Sequence, residues 1–182
     1  PDSNLWFGNA TGDLICYNWK LKSYHTYPLM HAGKKINANI TALMFDRAHR
    51  FWICTSSGLF LFDQKNHTFK SVFLSKEMAN EPYISAICED KQYVWLGTNR
   101  GLMRLSGSSP DSWEVVDGYE QRNNIQPRRV LSWLAGKDGT VYIGYANGFG
   151  VISTGEEHIS SFYTAKDGLC NDHVSCNAEE QY

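Results

Sequence analysis

The sequence predicts an all-β fold, a β-propeller built of four-stranded antiparallel blades, and three observations predict it. An aromatic residue recurs at 6, 52, 95 and 142, at spacings of 46, 43 and 47 residues. In every copy a glycine follows six positions later, at 12, 58, 101 and 148. Around each pair lie short β-rich runs separated by Gly, Asn, Asp and Ser, with no sustained helical period. Four short strands repeating every 43 to 47 residues are the pattern of a propeller blade. One such sheet cannot bury both faces alone, so neighbouring sheets must pack on one another.

Each strand of the unit has its own signal. Second strands carry the aromatic: Leu5-Trp6-Phe7-Gly8, Phe51-Trp52-Ile53-Cys54, Val94-Trp95-Leu96-Gly97 and Val141-Tyr142-Ile143-Gly144. Trp6, Trp52, Trp95 and Tyr142 should supply the large apolar surface between blades. Gly12, Gly58, Gly101 and Gly148 should end the hairpin turn into the third strand, where positive φ is needed. First strands are the upstream runs 40–46, 84–90 and 130–135, with a further lead-in at 174–178. Fourth strands are the aromatic-rich runs 22–27, 68–73, 112–116 and 159–163. The whole chain, 1–182, thus reads as propeller: blades 40–73, 84–116 and 130–163, and a partial blade 1–27 with 174–182. Two arrangements remain open, a closed four-blade ring completed by 174–178 and a segment of a larger propeller. The absent initiator Met and the tail at 178–182 favour the segment.

Composition excludes several functions. With 17 Lys plus Arg against 19 Asp plus Glu, the net charge of −2 gives no basic surface for nucleic acid. No apolar run reaches the roughly 18 residues of a membrane helix. The five cysteines, at 16, 54, 88, 170 and 176, form no Cys-x-x-Cys pair and read mainly as small core residues. The six histidines show no metal-ligand spacing, so no metal or cofactor is expected. Nucleophile-elbow, zinc-protease and P-loop motifs are absent, and the glycines of 144–150 fall between strands rather than before a helix. No catalytic residue is assigned. Three Asn-x-Thr acceptor patterns, at 9, 39 and 66, read as incidental in a chain rich in both residues.

The phrase Trp-Ile/Leu-Gly/Cys-Thr-x-x-Gly-Leu, preceded by Ile-x-Ala-Ile/Leu-x-x-Asp, resembles the two-component regulator propeller repeat. So does Lys166-Asp167-Gly168-Leu169-Cys170-Asn171-Asp172-His173-Val174, as a lead-in to a first strand. The likeness covers nearly the whole chain and is most specific at 51–63 and 94–106; the last copy departs from it with Tyr142 and Tyr145. The resemblance implies the periplasmic sensor region of a hybrid two-component regulator of gut Bacteroidetes, attached to a membrane-spanning signalling protein. It also implies detection of glycan-derived oligosaccharides, control of glycan-utilisation genes, and surfaces that serve dimerisation of the receptor.

Any ligand should meet the loops that converge at one end of the blades. Those between second and third strands offer Thr98, Asn99, Arg100, Tyr145, Ala146 and Asn147. Those between blades offer His31, Lys34, Lys35, Tyr83, Arg122, Asn123, Asn124, Arg128 and Arg129. Aromatic rings beside amides and guanidiniums suit sugars, and Arg100 and Tyr145 lead this set. A propeller-fold lyase or glycosidase and a protein-interaction scaffold are the competing classes.

Overall fold

The computed structural model describes residues 3–72, 83–89, 93–99, 101–106, 114–118, 129–136, 138–153 and 159–175. It divides into two compact units, Pro1–Ile84 and Ser85–Tyr182. The expected fold class holds, since the described chain is all-β apart from a 3₁₀ turn at Ala165–Asp167.

In the first unit, β1 (Asn4–Gly8), β2 (Asp13–Asn18) and β3 (Ser23–Pro28) form a three-stranded antiparallel sheet. A hairpin of β4 (Met30–His31) and β5 (Lys34–Lys35) leads into a four-stranded sheet. Its strands are β6 (Ile40–Phe45), β7 (Phe51–Thr55), β8 (Gly58–Asp63) and β9 (Thr68–Val72), in sequence order. Alternation places Trp6, Leu14 and Tyr27 on one face of the first sheet, and Phe51, Ile53, Phe60 and Phe62 on the facing side of the second. Trp6 meets Phe51 edge-on at 5.0 Å and Phe62 at 5.8 Å, and Tyr27 lies 5.1 Å from Phe62. Fully burying such a ring contributes about 1.5–3 kcal/mol, so the buried Phe51 and Phe62 stabilise this seam, with the half-buried Trp6 and Tyr27 adding less.

The second unit holds two four-stranded sheets in the same order. One contains β10 (Ile84–Glu89), whose first residue closes the first unit, β11 (Val94–Thr98), β12 (Gly101–Ser106) and β13 (Glu114–Gly118). The other contains β14 (Val130–Ala135), β15 (Val141–Tyr145), β16 (Gly148–Ile152) and β17 (Ser161–Tyr163). Its core joins Trp95, Leu102, Val130, Ile143 and Tyr145, with Trp133 and Phe162 packed against it.

A repeated contact carries each sheet to the next first strand. A Cβ on Gly8 would lie 2.1 Å from Ile40 Cγ2, and one on Gly97 would lie 2.6 Å from Val130 Cγ1. On Gly144 it would lie 2.3 Å from the Val174 carbonyl oxygen. The glycine two places after the aromatic therefore makes a socket for the incoming residue, and Cys54 occupies that place in β7. A hydroxyl one or two positions into each first strand then donates onward: Thr41 to the Ile84 carbonyl, Ser85 to the Val130 carbonyl at 2.5 Å, and Ser132 to the Val174 carbonyl at 3.3 Å. Residues 173–175 belong to no strand, and 176–178 of the expected lead-in lie outside the described residues. Even so, Val174 N–H donates to Tyr145 O at 3.0 Å, as Ile40 N–H does to Asn9 O at 3.0 Å. Val174 thus stands where a first strand begins.

Candidate functional site

Antiparallel order puts the β11–β12 and β15–β16 turns at the same end of their sheets as the starts of β10 and β14. Of the sequence-derived ligand candidates, Thr98, Asn99, Arg129, Tyr145, Ala146 and Asn147 map to this end of the second unit. Gly101 and Gly148 close those turns at φ of 109° and 149°, and Gly12 and Gly58 have φ of 79° and 145°. Thr98 is buried, and its hydroxyl donates to Gly101 O at 2.8 Å, so it closes the turn rather than facing solvent. Asn99 is exposed at the tip. Arg129 is exposed, and its carbonyl accepts from Ala146 N–H at 3.1 Å, which brings it beside the turn of Ala146 and Asn147. Asn147 Oδ1 is buried and accepts no hydrogen bond among the described residues. Arg100, Arg122, Asn123, Asn124 and Arg128 lie outside the described residues.

Tyr145 is placed differently from the loop position expected for it. Its side chain is 0 % exposed and forms part of the core, 5.7 Å from the Phe162 ring. The reason lies across the sheet. Gly150 leaves room where β8 carries Phe60 at the matching position, and a Cβ there would sit 3.1 Å from Tyr145 Cε2. Thr55 and Thr98 hold this position in two of the other sheets and spend their hydroxyls on the turn glycine. Tyr145 instead folds its ring inward, as a packing residue.

Four further candidates fall in the first unit, one of them Tyr83, half-buried just before β10. His31, Lys34 and Lys35 are exposed on the β4–β5 hairpin, whose tip is Ala32-Gly33 at φ of 48° and 76°. Lys35 Nζ reaches Asp13 Oδ1 at 2.7 Å and anchors the hairpin on the first sheet. That hydrogen bond, joined by one from Asn9, holds the Asp13 carboxyl below its ordinary range.

At the opposite end of the first unit lies a feature that sequence reasoning missed. A cleft of about 310 Å³ opens between the two sheets. Asn4, Trp6, Asn18 and Tyr27 line it from the first sheet, and Gln64 and His67 from the β8–β9 turn. Asn18 Nδ2 donates to Asn4 Oδ1 at 2.9 Å, while Asn18 Oδ1 accepts from the backbone N–H of Lys20 and Leu21. His67, at φ 54°, sits with its ring 5.0 Å from Tyr27. Lys22 has φ 52° in the matching turn of the first sheet, so this backbone conformation belongs to the repeat. Burial pushes the Tyr27 hydroxyl and the Cys16 thiol upward. A signal was available, since residues 4, 16, 18, 25 and 27 share one sheet face, but it required the β1–β2–β3 register.

Among the described residues no group of three or more His, Cys, Asp or Glu is placed to hold a metal. No helix among them is long and apolar enough to cross a membrane.

The repeated four-stranded sheets define a protein of the β-propeller class. Within that class the chain is similar to the extracellular domain of BT4673, assigned as a hybrid two component system of B. thetaiotaomicron: TM-score 0.76, 18% identity, covering 96% of this chain and 23% of that one. The extracellular domain of BT3049, from the same organism and with the same assignment, gives a TM-score of 0.52 at 15% identity over 96% of this chain and 28% of that one. YCF48 bound to D1 peptide gives 0.64 at 10% identity, over 92% of this chain and 53% of that one. The chain spans about a quarter of the length of the two B. thetaiotaomicron domains. No family model matches it, and no curated protein matches it in sequence.

Proposed function

We propose that the chain is a non-catalytic segment of the extracytoplasmic sensor propeller of a hybrid two-component signalling protein. In this reading it lies in the periplasm, attached to a membrane-spanning receptor that forms a homodimer. It binds an oligosaccharide released from a complex glycan, and occupancy controls glycan-utilisation genes. The observation that carries the reading is the likeness to the extracellular domain of BT4673 over 96% of the chain. The buried Asn147 Oδ1, which meets no donor among the described residues and lies on the turn that Arg129 O holds, supports a polar ligand at the turn end, because a buried acceptor without a donor is costly. Titration calorimetry of the full extracellular region against a panel of neutral and acidic oligosaccharides tests it. Binding without turnover is the expected result. Cleavage of any glycan by the purified region would replace the sensor with a propeller lyase or glycosidase. The likeness to YCF48 in its peptide complex favours a second reading, a peptide-binding scaffold. Binding of peptides but of no saccharide would establish that one.

A further inference from the structure

We infer that the cleft between the first two sheets is a binding site for a neutral saccharide. This deepens the sensor reading and rests on its premise that the ligand is a sugar.

The lining chemistry carries the assignment. Among the described residues no Asp, Glu, Lys or Arg lines it; the polar groups are amides, two hydroxyls, a thiol and imidazoles, and the walls include Trp6 and Tyr27. A charged ligand entering such a cleft would lose hydration without gaining an opposite charge. A polyhydroxylated neutral ligand loses far less, because amides and hydroxyls donate and accept as sugar hydroxyls do. The aromatic side chains add broad apolar surface for the C–H faces of a pyranose. The volume falls at the lower end of the range for small-ligand sites, suited to one or two sugar rings.

The hydrogen-bond pattern points the same way. Asn4 accepts from Asn18, yet its Nδ2 donates to nothing among the described residues. Ser23, His25 and Gln64 side chains likewise make no hydrogen bond among those residues, although all three border the cleft. Trp6 is the most telling, because the repeat shows what this indole does when its role is structural. Trp52 N–H donates to the buried Asp46 carboxylate at 2.8 Å. Trp6 has no such acceptor among the described residues, and it lines the cleft instead. Several donors and acceptors thus converge on one aromatic-walled space with their capacity uncommitted.

The test uses the full extracellular region, with cellotetraose, maltotetraose, mannotetraose and xylotetraose as neutral probes and tetragalacturonate as the acidic one. His25→Ala with Gln64→Ala removes two exposed cleft groups, and Lys166→Ala, at an exposed residue of the 3₁₀ turn, serves as the control. The expected result is that one or more neutral probes bind and that the cleft variant weakens them at least tenfold. Lys166→Ala should leave that affinity unchanged, and all variants should share the wild-type unfolding midpoint. Should the cleft variant unfold, His67→Asn alone must give the same weakening, since Asn tolerates positive φ. Undiminished binding in the cleft variant overturns the site while the sensor reading stands. Tighter binding of tetragalacturonate than of every neutral probe overturns the neutral assignment. Binding of no probe overturns the site and the sugar reading together.

Discussion

β1 and β7 occupy the same place in the repeat and carry nearly the same pattern, Leu-Trp-Phe-Gly against Phe-Trp-Ile-Cys, yet their surroundings differ. Phe51 and Ile53 of β7 are 2 % and 0 % exposed, while their counterparts Leu5 and Phe7 of β1 are 50 % and 49 % exposed. On the β7 side, β6 pairs along one edge and the first sheet covers Phe51 and Ile53. β1 pairs only with β2 among the described residues. The same strand chemistry is therefore core or surface according to its neighbours. Burial in a repeat protein belongs to the junction between units.

The largest effect that could break this comparison comes from the two tryptophans. Trp52→Ala should cost about 3–5 kcal/mol, the range for emptying a packed aromatic site. It also removes the indole donor to Asp46, a buried carboxylate that Arg50 pairs through Nε and the backbone N–H. Trp6→Ala should cost clearly less, since Trp6 is half-buried. Equal losses in urea unfolding of the two variants would show that the two strands are energetically alike.

Next come the flanking residues. Ile53→Ala should cost about 2–5 kcal/mol, and Phe7→Ala should stay near the surface range of about ±0.5 kcal/mol. A large loss for Phe7→Ala in the same assay would mean that this face is covered in solution. Gly8→Val should destabilise by about 1–3 kcal/mol through overpacking against Ile40, despite the exposure of the strand around it. Cys54→Ala should cost less than that, because this socket already accommodates a side chain.

The smallest effect concerns the Lys35–Asp13 pair. Lys35→Ala should cost no more than about 1 kcal/mol, since half-exposed ion pairs are heavily screened. Asp13 has a folded pKa below its unfolded value, so the pair's contribution is fully present above the unfolded value of about 3.9. It fades as pH falls through the lower folded value. Wild type and Lys35→Ala should therefore converge in stability in strong acid, and a constant gap down to pH 2 would contradict the assignment.

Much of this architecture was legible because the repeat ties strand identity to a few residues that cannot be exchanged freely. The aromatic and the glycine six places later mark the β7–β8 and β11–β12 hairpins, since one residue is a large buried ring and the other takes positive φ. The β4–β5 hairpin was not legible. Its turn places Ala32 at positive φ, a conformation for which alanine gives no signal. Tyr145 was misleading for a different reason. A tyrosine at a threonine position could turn outward or inward, and the deciding residue, Gly150, stands on β16 opposite Ile143, diagonal to Tyr145. The cleft was hidden because its lining is assembled by register, and every one of its residues looks ordinary in the chain.

The socket position in β7 has a chemical consequence. Where the other second strands carry glycine, Cys54 places a sulfur in a fully buried site, and burial pushes its thiol far above the ordinary range. Cys16 is raised in the same way, whereas Cys170 is exposed. Oxidants and alkylating agents act on the thiolate and need access to it. Of the four described thiols, then, Cys170 should be consumed first and Cys54 last, and full labelling of Cys54 would report that the seam beside it had opened.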